Sequence, residues 1–186
     1  MRSIRFDKLS QMGGLREVQN ISREAARPAI LVDARQICVH APTERAFASI
    51  RRIGGSNGWY YANWLWSVRL VLERLLGGAA RRQRRHPDQL KVGDVVDCWR
   101  VEAYEPDRRL RLALELRQPG RGWLEFEVTG NGASSTIRQT AEYDPGGPLG
   151  RVHWFLVSPL HNLMFPGMLR GIAAHCERNG HGTDHA

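Results

Sequence analysis

Between Asp94 and Gly147 the chain alternates. In "DVVDCWRVEAYEP", "RRLRLALELRQPG", "GWLEFEVTGNG" and "SSTIRQTAEYDPGG" apolar and polar side chains trade places at every second position. The runs are separated by Glu105-Pro106-Asp107, Pro119-Gly120 and Gly130-Asn131-Gly132. A period of two puts successive side chains on opposite faces of a strand, so the four runs predict an antiparallel meander with tight connections. Leu110, Leu112, Leu114 and Leu116 share one face, and Arg109, Arg111, Glu115 and Arg117 the other. Leu124, Phe126 and Val128 extend the apolar face, with Trp99, Val101 and Ala103 on the strand before and Ile137, Gln139 and Ala141 on the strand after. In this phase two polar groups look inward, Asp97 and Gln139. A buried polar group without a partner costs about 1 to 3 kcal/mol, so each must either anchor structure or face a ligand.

On either side the period changes. "LVDARQICVHAP" sets Ile37 and Val39 against Cys38 and His40 and stops at Pro42, which predicts a first strand. "PTERAFASIRRIGG" reads as a short helix with Thr43 as cap and Gly54-Gly55 as its end. In "NWLWSVRLVLERLLGG" Leu65, Val68, Leu72 and Leu75 recur at spacings of three and four, an amphipathic helix capped by Asn63 and closed by Gly77-Gly78. "RVHWFLVSPLHNLMFPGMLRGIAAHCER" returns to helical spacing through Met164, Met168 and Ile172, with a bend or break expected near Pro166. The expected organisation is an arm over 1–30 with a short helix around Leu15 to Ala26, one domain over 31–178, and a flexible tail over 179–186.

Length and charge narrow the function. At 186 residues the chain suits one domain with a sizeable core. Its net charge is +8, and Arg81, Arg82, Arg84 and Arg85 of "RRQRRHP" supply half of that. No recurring basic or aromatic strand pattern accompanies them, so a solvated loop is expected there and nucleic acid is not the expected partner. Cys38, Cys98 and Cys176 are odd in number and far apart, and reduced, buried thiols are expected. The N-terminal residues lack a continuous apolar stretch, and the most apolar window holds Pro159 and Pro166, so neither a secretory signal nor a transmembrane segment is expected. The expected location is the cytoplasm.

No familiar catalytic motif is present. "IGGSNG" follows a helix and lacks the glycine spacing of a dinucleotide loop, and neither a P-loop nor a nucleophile elbow occurs. His153 and His161 are eight apart, and His175 adjoins Cys176, spacings that do not set two ligands on one metal. Neither a metal nor a cofactor is expected. The candidates for acid–base chemistry are Asp97, His161 and Tyr61, with Glu115, His153 and Tyr60 beside them. Structural pairing competes for the same groups: Asp97 with an arginine of the basic loop, Glu115 with an arginine across the strand. The segment "RRIGGSNGWYYANWLW" gathers Trp59, Tyr60, Tyr61 and Trp64 between two helices, where rings serve either as core or as the wall of a cavity.

"IGGSNGWYYANWLW", "RRHPDQLKVGDVVDCWRVEAYEP", "LRLALELRQPGRGWLEF", "YDPGGPLGRVHWF" and "PLHNLMFPGM" resemble, in order and spacing, a family of domains of unknown function in the START and polyketide-cyclase (SRPBCC) superfamily, over about residues 33 to 178. The resemblance implies an α+β helix-grip fold, a curved antiparallel sheet wrapped around a long C-terminal helix, with a hydrophobic small molecule held between them. It also implies an association with NmrA-like NAD(P)-binding domains, here as a separate protein partner. The sequence departs from the family pattern at Leu70 and at Glu115-Leu116. The expected cavity is bounded by Trp59, Tyr60, Tyr61, Trp64, Asp97, Trp99, Leu114, Phe126, Gln139, Met164 and Met168. The expected function is binding of a hydrophobic or amphipathic small molecule. The alternatives are a cyclase or isomerase and a docking module for an NAD(P)-binding protein.

Overall fold

The computed structural model describes residues 30–54, 58–64, 90–116 and 118–178. Six strands form one antiparallel sheet: β1 (Leu31–Val39), β2 (Val95–Val96), β3 (Trp99–Glu105), β4 (Arg109–Leu114), β5 (Arg121–Gly130) and β6 (Ser135–Asp144), in the order β1-β6-β5-β4-β3-β2. The meander runs from β2 to β6, each strand beside its sequence neighbour. β1 closes the far edge, paired with β6 from Leu31↔Tyr143 to Val39↔Ser135. Two helices are described, α1 (Thr43–Arg51) and α2 (Pro148–Arg178). The expected helices over Leu15 to Ala26 and Leu65 to Leu75, the basic run at Arg81 to Arg85 and the tail lie outside the described residues.

Three expectations need correction. The first is the α1 cap, which is Pro42 in an extended conformation with no side-chain hydrogen bond; Thr43 is the first helical residue. Proline's fixed φ suits the entry to a helix, and the Ala46 N–H closes the first turn on the Pro42 carbonyl at 3.1 Å. The second is α2, which runs for 31 residues through both Pro159 and Pro166 without a break. Asn162, four before Pro166, and Phe155, four before Pro159, are both exposed, so water can take the carbonyls that the missing N–H groups leave without a helical donor. The third is Ala103. A register shift between Val101 and Ala103 puts Ala103 opposite Arg111 and Tyr104 opposite Leu110. One extra residue at a bulge reverses the phase, so Tyr104 turns inward against Phe47, with ring centroids 5.8 Å apart.

The core lies between the sheet's inner face and the helices. Leu110, Leu112, Leu124, Phe126, Val128 and Ile137 are buried there, facing Phe47 and Ile50 of α1 and Met168, Leu169 and Ile172 from the second half of α2. The outer face is wet and ion-paired. Arg111 reaches Glu102, Glu125 and Glu142 at 3.1, 3.0 and 2.7 Å, and Glu115 pairs with Arg100 across the strands at 2.5 Å. Burial alone would raise the Glu125 carboxyl, but hydrogen bonds from Arg109 and Arg111 outweigh it and hold the group below its ordinary range. Of the cysteines expected to be buried, Cys98 and Cys176 are, whereas Cys38, on the outer phase of its strand, is exposed.

Where α2 meets α1, Ser49 Oγ and His175 Nδ1 are hydrogen-bonded at 3.1 Å, and the Tyr60 ring meets the imidazole edge-on at 5.3 Å. Burial, and then the charges of Arg52 and Arg178, push His175 below its ordinary 6.5. The folded chain therefore resists a proton that the unfolded chain accepts. Stability from this site is complete above about pH 6.5 and drains as pH falls from there to the lower folded value. The melting temperature is expected to fall across that window, and His175→Gln to flatten this part of the profile; an equally steep profile in the variant would contradict the assignment.

Candidate functional site

Inner-face positions at one end of the sheet are Trp99 on β3, Leu114 on β4, Leu124 on β5 and Ala141 and Tyr143 on β6, all in one phase of the alternation. Opposite them the first half of α2 carries His153, Trp154, Val157, His161, Met164 and Phe165, at the recurrence of three, four and seven that one helix face demands. Between the two surfaces lies a cavity of about 90 Å³, which these residues line. Rings build much of its wall. Trp154 stacks on Tyr143 at 5.4 Å, His161 meets Trp154 edge-on at 5.4 Å, and Phe165 stacks on His161 at 4.7 Å. The Tyr143 hydroxyl donates to the Pro119 carbonyl, and burial, then Asp144, raises its pKa.

The volume sets a limit on the guest. Apolar cavities of about 150 Å³ take benzene and stay dry when empty, and sites for drug-sized molecules run from about 300 Å³ upward. At about 90 Å³ the space is smaller than one that takes benzene, so a one-ring guest such as phenol requires the first half of α2 to ease slightly away from the sheet. A larger guest requires the first half of α2 to move farther from the sheet.

Five of the residues expected at a site meet on this wall: Trp99, Leu114, His153, His161 and Met164. Trp59 lies behind Trp99, with ring centroids 6.1 Å apart, and is 2% exposed. Phe126, Gln139 and Met168 are buried deeper in the core and do not line the cavity. The Gln139 amide is 1% exposed, and neither of its polar atoms has a hydrogen-bond partner among the described residues. Tyr60 is turned toward α1: its hydroxyl donates to the Ser49 carbonyl at 2.8 Å, and burial lifts its pKa to about 12. Tyr61 and Trp64 are exposed and border a shallow recess with Leu163.

Asp97 is not a strand residue in phase with Trp99. It opens the two-residue turn between Val96 and Trp99, with a left-handed φ of 56°. The turn nonetheless folds inward, so the side chain is 5% exposed and Oδ2 accepts the Trp59 indole N–H at 2.9 Å. Gly54 makes room for it. Gly54 and Gly58 have φ of 85° and 71°, and the Gly54 N–H donates to the Gly58 carbonyl at 2.8 Å. A Cβ on Gly54 would lie 2.3 Å from Val96 Cγ1 and 3.3 Å from Asp97 Oδ2. Gly54, Gly58 and Asp97 thus form a tight brace that fixes Trp59 and, through it, Trp99. Asp97→Asn keeps both an acceptor and a residue that tolerates the left-handed region, and is expected to melt close to the parent. Asp97→Ala removes the acceptor and is expected to cost about 2 kcal/mol by thermal or urea unfolding; equal stability of the two variants would refute the brace.

Sequence reasoning missed Tyr143, Trp154, Val157 and Phe165 as lining residues. The signal was present: Tyr143 follows Ala141 by two on a strand, and Trp154 and Phe165 stand seven before and four after His161 on a helix.

The fold matches solved structures. The aromatase/cyclase ZhuI of a Streptomyces species superposes with a TM-score of 0.50 at 9% identity, covering 85% of this chain and all of that one. The di-domain aromatase/cyclase StfQ of the steffimycin biosynthetic pathway gives 0.50 at 11% identity over 96% of this chain, which spans 63% of StfQ. The polyketide-cyclase-like protein Cgl2372 from Corynebacterium glutamicum gives 0.48 at 12% identity over 86% of this chain and 99% of that one. The architecture is the helix-grip fold. Among curated proteins no sequence match is found. The family model described as "Protein of unknown function (DUF2867)" matches residues 25–168, and the chain belongs to that family.

Proposed function

We propose that this domain binds a small, largely apolar molecule in the cavity between the inner face of the sheet and the first half of α2. The ring-lined cavity itself carries the proposal: Trp99, Tyr143, Trp154 and Phe165 offer flat apolar surface, and His153 and His161 offer polar edges with which to orient a guest. The resemblance of the fold to proteins named aromatase/cyclases raises the prior for such a ligand without assigning a reaction.

The alternative is a cyclase or isomerase acting on a substrate in the same space. Of the acid–base candidates, His153 and His161 line the cavity; Asp97 is engaged with Trp59, and Tyr61 is on the surface. A proton transfer would therefore fall to His161 or His153, with the carbonyl of a substrate held by a group other than Tyr61. A docking role on a separate NAD(P)-binding protein would instead need an exposed apolar surface, such as Phe155 and Leu156 on the far side of α2 provide.

Calorimetric titration with phenol, a single ring with one hydroxyl, tests the binding reading. One-to-one saturable binding with a negative heat-capacity change is expected, since apolar surface leaves water. No saturable heat at any temperature would overturn it.

A further inference from the structure

The first half of α2 is apolar on two faces. One faces the cavity. On the other, Leu149, Val152, Phe155, Leu156 and Leu163 are 70, 55, 74, 75 and 56% exposed. Their spacings of three, four and seven collect them into one stripe. A helix hydrophobic all round is ordinarily covered all round, and five large side chains in a row are more than scattered surface apolar residues amount to.

The chemistry around the stripe indicates what covers it. From Pro148 to Cys176 α2 contains no Asp or Glu. Arg151 is exposed at the flank of the stripe, and Arg170, also exposed, continues it two turns beyond Leu163. Trp64, 67% exposed, and Tyr61 adjoin Leu163 at the stripe's edge. Apolar side chains in a stripe, cations at its margins and amphipathic rings beside it are the pattern of a helix lying in the plane of an anionic bilayer surface. No helix among the described residues is long and apolar enough to cross a membrane. A second copy would instead bring two acid-free, arginine-flanked faces together without counter-charge. We propose that the outer stripe of the first half of α2 docks on anionic lipid, with Phe155 and Leu156 inserted below the headgroups and Arg151 and Arg170 against them.

Flotation of the full chain with phosphatidylglycerol vesicles and with phosphatidylcholine vesicles tests this. Partitioning is expected to favour phosphatidylglycerol about tenfold or more, and to weaken as salt is added. Phe155→Ser combined with Leu156→Ser is expected to lower it about a hundredfold, because two large apolar side chains no longer leave water. Both positions are three-quarters exposed, so the variant should keep the parent melting temperature and bind phenol as the parent does; docking and cavity binding thus fail separately. Two results would overturn the proposal: no flotation with phosphatidylglycerol, which a dimer dissociated by the double variant would explain as self-association, or flotation unchanged in the double variant, which means attraction by charge alone.

Discussion

The Gly171→Val protein is expected to melt about 6 to 12 °C below the parent, the consequence of roughly 3 kcal/mol lost. A Cβ at Gly171 would stand 2.7 Å from Tyr60 Cβ and 2.9 Å from the Tyr60 carbonyl oxygen. One turn earlier, a Cβ at Gly167 would be 2.4 Å from the Tyr61 ring. The two glycines leave a groove on α2 into which the Tyr60–Tyr61 segment is pressed. That segment has little freedom to retreat. Tyr60 and Ala62 have left-handed φ of 62° and 49°, the Trp59 N–H is held by Asn63 Oδ1 at 2.8 Å, and the Tyr60 hydroxyl is tied to Ser49. Gly171→Val must therefore push α2 off the brace or break those bonds. The control is Gly147→Ala, where an added Cβ meets nothing within 4 Å; it should leave the melting temperature unchanged. Equal melting of the Gly171 and Gly147 variants would show that the groove is not closed in solution.

Much of this architecture was legible because alternation is a local signal. Leu110, Leu112, Leu124, Phe126 and Ile137 turn inward as their period requires, and the antiparallel order of β2 to β6 follows from turns short enough to permit nothing else. What escaped was set by events that break a period. A bulge between Val101 and Ala103 swapped Tyr104 for Ala103 on the inner face, and a two-residue turn removed Asp97 from the strand while leaving it buried. Neither event carries a strong residue signature, since no glycine stands in either.

The site was half legible for a related reason. Trp99, Leu114, His161 and Met164 were identified from the faces they occupy, and the cavity collects them. The aromatics from Trp59 to Trp64 do not line it: Trp59 lies behind Trp99, Tyr60 is turned toward α1, and Tyr61 and Trp64 are exposed. Ring content alone does not tell a wall from a brace; the distinction came from Asp97 and Gly171, residues that fix where those rings can go.

Ala141→Leu has the largest effect expected on binding. Ala141 is 5% exposed on the floor of the cavity, where an isobutyl group in place of a methyl occupies space on the scale of the cavity itself. Filling a void in this way commonly raises stability by about 0.5 to 2 kcal/mol, so the variant should melt at or slightly above the parent temperature. Its fold is then not in question when its binding is measured. Phenol titrated into parent and variant side by side is the decisive comparison. The parent should bind one equivalent, and the variant should bind more than about tenfold more weakly, since a filled cavity leaves the guest no apolar surface to replace water. Equal affinities in the two proteins would contradict the cavity as the place where this domain holds a ligand.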